Sequence, residues 1–144
     1  RYAEFLKIDF PRVPLTKNLE LFRTLVSKGK EMVKLHLLEA VPKTIAKFKG
    51  RGDSIVASGY PKYENETVWI NEGQSFEGVP EDVWNFHVGG YQACSKWLKD
   101  RRGRELSADD KTHYAKVVTA LKETIRLMQE IDEAIEAAGG WPLK

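Results

Sequence analysis

The chain has 144 residues, 42% hydrophobic and 31% charged, with a formal net charge of only +2 at pH 7. This composition is typical of one globular domain with a single core, and such mild basicity does not by itself imply a nucleic-acid partner. The single cysteine, Cys94, excludes an internal disulfide, and no run of 18 apolar residues predicts a membrane span.

These features predict a protein of a reducing compartment, and we expect a cytoplasmic location with no membrane partner. The sequence starts with Arg1 rather than methionine and carries no signal-peptide pattern. We therefore expect residues 1–144 to be one domain, cut from a larger protein.

The first elements predicted in chain order are helical. Residues 2–8 are typical of the end of a helix, and Asn18 or Thr16 is placed to cap a second helix that runs from Leu19 to about Glu39. Pro42 is expected to end that helix. Its apolar positions recur at helical spacing: Leu21, Phe22, Leu25, Met32, Val33, His36 and Leu37.

Strands are predicted in the middle of the chain. The basic stretch 43–52 fits no element clearly, whereas residues 54–62 and 67–76 resemble strands joined by a polar turn. They predict an antiparallel insert of two or three strands over about residues 54–77. Such a hairpin is not stable alone and must pack on the helices.

Helices return in the second half. Pro80 opens a short helix, residues 91–100 predict another, and Ser107 with Asp110 forms a variant capping box before the last helix. Glycines at 139–140 are placed to end that helix. Its apolar stripe comprises Tyr114, Val117, Val118, Leu121, Ile125, Met128, Ile131 and Ile135. The predicted fold class is α+β, mostly helical, with a small antiparallel hairpin or sheet insert and a long C-terminal helix.

Catalytic and metal-binding motifs are missing from the sequence. It has no phosphate-binding glycine loop, no G-x-S-x-G elbow and no cysteine and histidine set for zinc, and His36, His87 and His113 are scattered. Cys94 is more simply explained as a small packed residue than as a nucleophile. We therefore predict no catalytic residue, no metal site and no cofactor in this chain.

The distribution of charge is more informative than its sum. Five cations and one acid, Asp100, fall within nine residues, and these cations form the 96–104 cluster: Lys96, Lys99, Arg101, Arg102 and Arg104. Four more cations form the 43–51 cluster: Lys43, Lys47, Lys49 and Arg51. Segregated charge of this kind can hold a polyphosphate on one side of a protein. The alternative is that Arg101–Arg104 is a solvated turn that pairs partly with nearby acids.

Weaker candidates for contact with bases lie just before this cluster, at Tyr91, Gln92 and Asn85. Two adjacent glycines, Gly89 and Gly90, are open to two interpretations. They can expose backbone N–H groups to a phosphate, or they can simply allow a tight turn.

Three segments together resemble a known family. They are DFPRVPLTKNLELFRTLVSKGKEMVKLHLLE at 9–39, VWNFHVGGYQACSKWLKDRRGREL at 83–106 and HYAKVVTALKETIRLMQEID at 113–132. They resemble the C-terminal specificity, or target recognition, region of type ISP restriction–modification enzymes. Those enzymes are single chains with a nuclease, a helicase-like ATPase and an N6-adenine methyltransferase.

The resemblance implies a DNA-recognition role without catalysis. The catalytic motif of the methyltransferase and the helicase motifs have no counterpart here. S-adenosylmethionine, ATP and Mg²⁺ are therefore implied for the parent protein only. The implied partners are double-stranded DNA and the methyltransferase domain of the parent chain. A structural docking domain that packs on that methyltransferase is the main alternative, and an enzyme in its own right is a third.

Overall fold

The computed structural model describes residues 15–143, and the helix end predicted at residues 2–8 lies outside them. Within the described part, residues 34–125 form one compact unit, and the residues before and after that range form another. The single-domain organisation expected from the chain length stays a prediction. The elements in chain order are α1 Leu19–His36, β1 Lys47–Lys49, β2 Lys62–Glu64, β3 Thr67–Trp69, β4 Ser75–Glu77, α2 Glu81–Trp84, β5 His87–Val88, β6 Tyr91–Gln92, α3 Ala93–Lys99 and α4 Ala108–Ala137.

Both long helices begin where the sequence predicts. The side-chain oxygen of Asn18 accepts the backbone N–H of Leu21 at 3.1 Å, as an N-cap residue should. At the start of α4, the N–H of Asp110 donates to the hydroxyl oxygen of Ser107 at 3.0 Å, and the Asp110 carboxylate accepts the N–H of Ser107 at 3.0 Å. This reciprocal pair confirms the capping box, and the fold class is confirmed as α+β and mostly helical.

The end of α1 differs from the prediction. The helix stops at His36, and Pro42 does not end it. Leu38 adopts a left-handed backbone with φ 57°, and the N–H of Glu39 donates to the carbonyl of Lys34 at 2.9 Å. This is a Schellman-type helix end formed around leucine instead of glycine, so the sequence carried no signal for it.

The sheet is larger than predicted. It has four antiparallel strands in the order β1–β4–β3–β2, and β1 comes from the basic stretch that fitted no element. The insert therefore spans residues 47–77 instead of 54–77. The run 67–76 is two strands, β3 and β4, because the N–H of Ile70 donates to the carbonyl of Gln74 at 3.0 Å and closes a turn.

The first predicted strand, 54–62, is mostly not a strand. Only its last residue belongs to β2, while Ile55 and Val56 form isolated bridges with Glu105 and Arg102. Positive φ values of 50° and 55° at Asn65 and Glu66 make the tight turn between β2 and β3. The segment before β2 therefore connects the sheet to the loop that precedes α4.

The inward face of the sheet forms the core. Phe76 on β4 is fully buried, and its ring lies 5.0 Å from Phe48 on β1 and 4.4 Å from Tyr114 on α4. Tyr63 on β2 stacks on Trp84 of α2 at 5.1 Å. Alternation along the strands sends the neighbouring side chains to the opposite, outward face. One row across that face comprises Lys49, Ser75, Trp69 and Lys62.

Residues 91–100 are not one helix. Tyr91 and Gln92 pair with β5 as strand β6, and α3 starts only at Ala93. The glycines at 89–90 form the two-residue turn between β5 and β6, with φ 61° at Gly89. This geometry supports the tight-turn interpretation of the pair.

Candidate nucleic-acid interface

The 96–104 cluster covers the end of α3 and the loop to α4, where nearby acids neutralise part of its charge. The ammonium of Lys96 lies 2.5 Å from the carboxylate of Asp100. Arg104 donates from Nη2 to Asp110 at 2.6 Å, and Nε of Arg101 lies 3.7 Å from the same carboxylate. Arg101 and Arg104 thus pair with an acid, as the alternative predicts for the 101–104 turn, and Lys96 does so as well. A ligand at these positions must compete with internal partners.

Arg101 is the most firmly held of these side chains. Its guanidinium carbon lies 3.6 Å from the centre of the Trp97 ring, and Nη1 donates to the Trp97 carbonyl at 3.0 Å. Trp97 in turn packs against Tyr114 at 5.2 Å. Arg101 therefore stabilises the junction of α3 and α4, in addition to any role in binding.

Asp110 has a pKa below the ordinary value for aspartate. Partial burial raises that pKa, but hydrogen bonds from the N–H and hydroxyl of Ser107 and the charge of Arg104 outweigh it. A lowered pKa stabilises the fold at pH values above the unfolded pKa of about 3.9. The stabilisation is lost as the pH falls through the lower pKa of the folded state.

We expect Asp110→Asn to destabilise the protein by about 1 kcal/mol at pH 7, because the charged acceptor of the capping box is lost. The difference from the native protein should shrink as the pH is lowered below about 4. Thermal unfolding at both pH values measures this. Asp109→Asn is the matched control in the same helical turn. An equal loss in the control, or a pH-independent loss at Asp110, would show that the cap charge is not responsible.

Two cations of the cluster keep their charge uncompensated. Lys99 is exposed, and Nε of Arg102 donates to the backbone carbonyl of Tyr60 at 2.6 Å. Among the residues that the structure describes, neither side chain contacts a carboxylate. Lys99 and Arg102 are therefore the members of the cluster most open to a phosphate.

The 43–51 cluster is more accessible. All four of its side chains are exposed, and none forms an ion pair within residues 15–143. Phe48 points into the core, so Lys47 and Lys49 project together from the outward face of β1. Because β1 is an edge strand, these lysines lie at the rim of the sheet.

Sequence reasoning missed one cation beside this strand, Lys111. Its ammonium lies 2.8 Å from the hydroxyl oxygen of Ser54 and 4.5 Å from the centre of the Phe48 ring. The N–H of Leu106 also donates to the carbonyl of Ser54 at 2.9 Å. Lys111 is an isolated lysine in the sequence, so only the fold brings it next to β1.

The base-contact candidates lie on and beside the hairpin of β5 and β6. Tyr91 is 64% exposed and Val88, directly opposite it, is 59% exposed. The ammonium of Lys96 lies 5.7 Å from the centre of the Tyr91 ring. The side-chain amide of Gln92 donates to that of Asn85 at 3.4 Å. The hairpin thus presents two apolar side chains and two amides next to a cationic helix.

Comparison with known proteins decides the family. The sequence matches the family described as the type ISP C-terminal specificity domain over residues 1–130. The chain belongs to that family. A search of curated proteins finds no match to this specificity domain.

Two solved structures share the fold of the specificity domain. One is the ATP-dependent type ISP restriction–modification enzyme LlaBIII bound to DNA, with TM-score 0.62 and 22% identity over 92% of this chain. The other is a nuclease-deletion mutant of the type ISP enzyme LlaGI in complex with a DNA substrate mimic, with TM-score 0.59 and 22% identity over 85% of this chain. The domain corresponds to only 10% and 13% of those two chains.

The described part of the specificity domain shows no clustered metal ligands, and Cys94 is buried. Within residues 15–143, no three His, Cys, Asp or Glu side chains are arranged to hold a metal ion, and no helix has the length and apolar character to cross a membrane. Burial raises the pKa of the Cys94 thiol to about 12, which keeps it protonated and unreactive. Cys94 is confirmed as a packed core residue.

Proposed function

We propose that this specificity domain binds double-stranded DNA and recognises the target site of a type ISP restriction–modification enzyme. The observation that carries the proposal is the 43–51 cluster, whose exposed cations form no ion pair among the described residues. Lys99 and Arg102 extend the cationic surface, and Lys96, Arg101 and Arg104 exchange their carboxylate partners for phosphates. The DNA complexes of LlaBIII and LlaGI, which share this fold, support the assignment.

The domain makes two kinds of contact with DNA, one with phosphates and one with bases. Lysine and arginine contacts to phosphates set the register of the domain on the duplex but carry little sequence information. The amides of Gln92 and Asn85 and the ring of Tyr91 project from the hairpin region toward base edges. The parent enzyme supplies the chemistry elsewhere, in a methyltransferase domain with S-adenosylmethionine and in an ATPase with ATP and Mg²⁺. In the cytoplasm, the domain would help present the target adenine to that methyltransferase.

The proposal is tested by titrating fluorescently labelled duplex DNA with the chain at two or more salt concentrations. We expect weak binding, with Kd on the order of 1–100 µM near physiological salt, that tightens steeply as salt is lowered. The result that contradicts the proposal is the absence of binding, or binding that salt does not change.

A docking role is the second candidate, and one observation on α1 favours it. Its apolar side chains Leu19, Phe22, Val26 and Val33 are exposed and share one face of the helix at helical spacing. An exposed apolar face of this kind marks a surface that packs on another domain. In the docking role, replacing these residues with polar ones would abolish the packing of this domain on the methyltransferase domain and leave DNA binding unchanged. Loss of DNA binding in such a variant would argue against a purely structural role.

A further inference from the structure

A groove on the sheet, lined by no residue of either cationic cluster, has the chemistry of a nucleobase site. It has a volume of about 390 Å³ and lies next to the edge strand β2. Trp69 borders it from the outward face, because the next side chain, Val68, is fully buried on the inward face. The lining residues are Tyr60, Lys62, Tyr63, Glu64, Trp69, Asn71 and Glu72.

Internal contacts hold part of this groove in place. The side-chain amide nitrogen of Asn71 donates to the carbonyl of Ile55 at 3.0 Å, and its oxygen accepts the N–H of Gly73 at 3.0 Å. The ammonium of Lys62 lies 4.7 Å from the centre of the Tyr60 ring. Asn71 is therefore part of the scaffold, and one face of Tyr60 is already covered.

The groove is continuous with the proposed DNA surface. Arg102 donates to the carbonyl of Tyr60 at 2.6 Å, so one of the uncompensated cations borders the groove directly. Lys62 is the Cα partner of Trp69 in the sheet and also lines the groove, so a second cation is present with its ammonium over Tyr60. A nucleotide whose base lies on Trp69 would find both cations for its phosphate next to Tyr60.

The remaining lining groups favour a base over a phosphate inside the groove. Glu64 and Glu72 are exposed carboxylates, and they would repel a phosphate at this position. A carboxylate accepts hydrogen bonds from an exocyclic amino group such as that of cytosine. Adenine and guanine also carry an amino group, whereas thymine presents no amino group to such an acceptor.

We propose that this groove binds one unstacked base that carries an amino group (adenine, cytosine or guanine), with its ring on Trp69 and its amino group donating to Glu64 or Glu72. The inference rests on the proposed DNA-binding function and deepens it. An unstacked base has two sources, a single strand and a nucleotide extruded from a duplex. The shared chemistry is a free aromatic face together with a free base edge.

Short labelled oligonucleotides of adenine, cytosine or thymine test the stacking role. We expect Trp69→Leu to weaken binding of the adenine and cytosine strands about tenfold, the effect of losing one base–aromatic stack. Trp69→Phe retains an aromatic ring and should bind within about threefold of the native protein. Thermal unfolding verifies that both variants fold. Equal binding by folded Trp69→Leu and the native protein overturns the proposal.

A second experiment measures the selectivity between bases and leaves Trp69 unchanged. We expect the double variant Glu64→Ala/Glu72→Ala, which changes only exposed side chains, to lower the preference for adenine and cytosine over thymine about tenfold. An unchanged preference overturns the proposal. Failure of the DNA-binding function itself would look different, because native protein would then not bind plain duplex at all.

A duplex with one bulged adenine separates the two sources of the base. If Trp69→Leu weakens binding to both the single strand and the bulged duplex, the groove accepts any unstacked base. If it weakens only the bulged duplex, the groove is specific for an extruded nucleotide. Either outcome supports the proposal, and no effect on either probe contradicts it.

Discussion

Replacing Lys47, Lys49 and Arg51 together with glutamate is expected to lower the affinity for duplex DNA by about 100-fold or more at low salt. Each lost phosphate contact removes about 0.9 from the slope of log affinity against log salt, so three contacts remove about 2.7. The three side chains are exposed, so the free energy of unfolding should change by only about 0.5 kcal/mol per position. Anisotropy titrations at several salt concentrations measure the affinity for DNA and its salt dependence on the same samples.

A matched variant controls for the change in net charge. Lys30, Lys34 and Lys122 are also exposed, lie on the two long helices and belong to neither cluster. Replacing these three with glutamate changes the total charge by the same amount, but it should leave most of the affinity and the salt slope intact. If the two triple variants bind equally poorly, the binding depends on net charge and not on the 43–51 cluster.

Phe76→Ala should destabilise residues 34–125 by about 3–5 kcal/mol, the largest effect on stability that we expect from one substitution. Phe76 is fully buried at the centre of the inward sheet face, in contact with Phe48 and Tyr114. The free energy of unfolding of an ordinary domain is about 5–15 kcal/mol, so this loss would remove a large fraction of it. Urea unfolding followed by circular dichroism measures the loss.

Phe22→Ala is the corresponding control for a phenylalanine outside the core. Phe22 lies on α1 and is 42% exposed, so its removal should cost well under 1 kcal/mol. A small effect at Phe76, comparable to that at Phe22, would mean that the sheet does not pack on α4 as described.

Local chemistry made the helix starts predictable. Asn18, and Ser107 with Asp110, satisfy N–H groups within three residues in sequence, so the signal is contained in a short window. The glycines at 139–140 also end α4 as predicted, and the N–H of Gly140 donates to the carbonyl of Ile135 at 2.9 Å. Leu38 performs the same function at the end of α1 without glycine, and no local pattern indicates it.

Long-range pairing determined what the sequence did not predict. Strand β1 is three residues long with lysine at both ends, and it becomes a strand only because it pairs with β4, from Lys47 opposite Glu77 to Lys49 opposite Ser75. The run 67–76 alternates only as far as Ile70, and the polar stretch 71–75 around Gly73 is a local turn signal that the strand prediction passed over. Strand propensity depends on such tertiary neighbours more than helix propensity does.

The candidate site was predictable in its charges but not in its contacts. The sequence left open whether the arginines of the 101–104 turn pair with nearby acids, and only the fold shows that Arg101 and Arg104 both contact Asp110. Pairing of Arg104 with Asp110 depends on the path of the loop before α4. No sequence pattern marks Trp69 and Tyr60 as binding residues. They become candidates only because the sheet register and the groove at β2 bring them together.

Protection of lysines from acetylation, mapped by mass spectrometry with and without duplex DNA, tests the DNA-binding surface most directly because it needs no substitution. We predict that Lys47, Lys49 and Lys99 become markedly less reactive when DNA is bound, while Lys122 on α4 reacts as before. The protection should disappear at high salt, as expected for phosphate contacts. Unchanged reactivity at Lys47 and Lys49 in a sample that binds DNA, or protection of Lys122 in their place, would contradict the assignment of this surface.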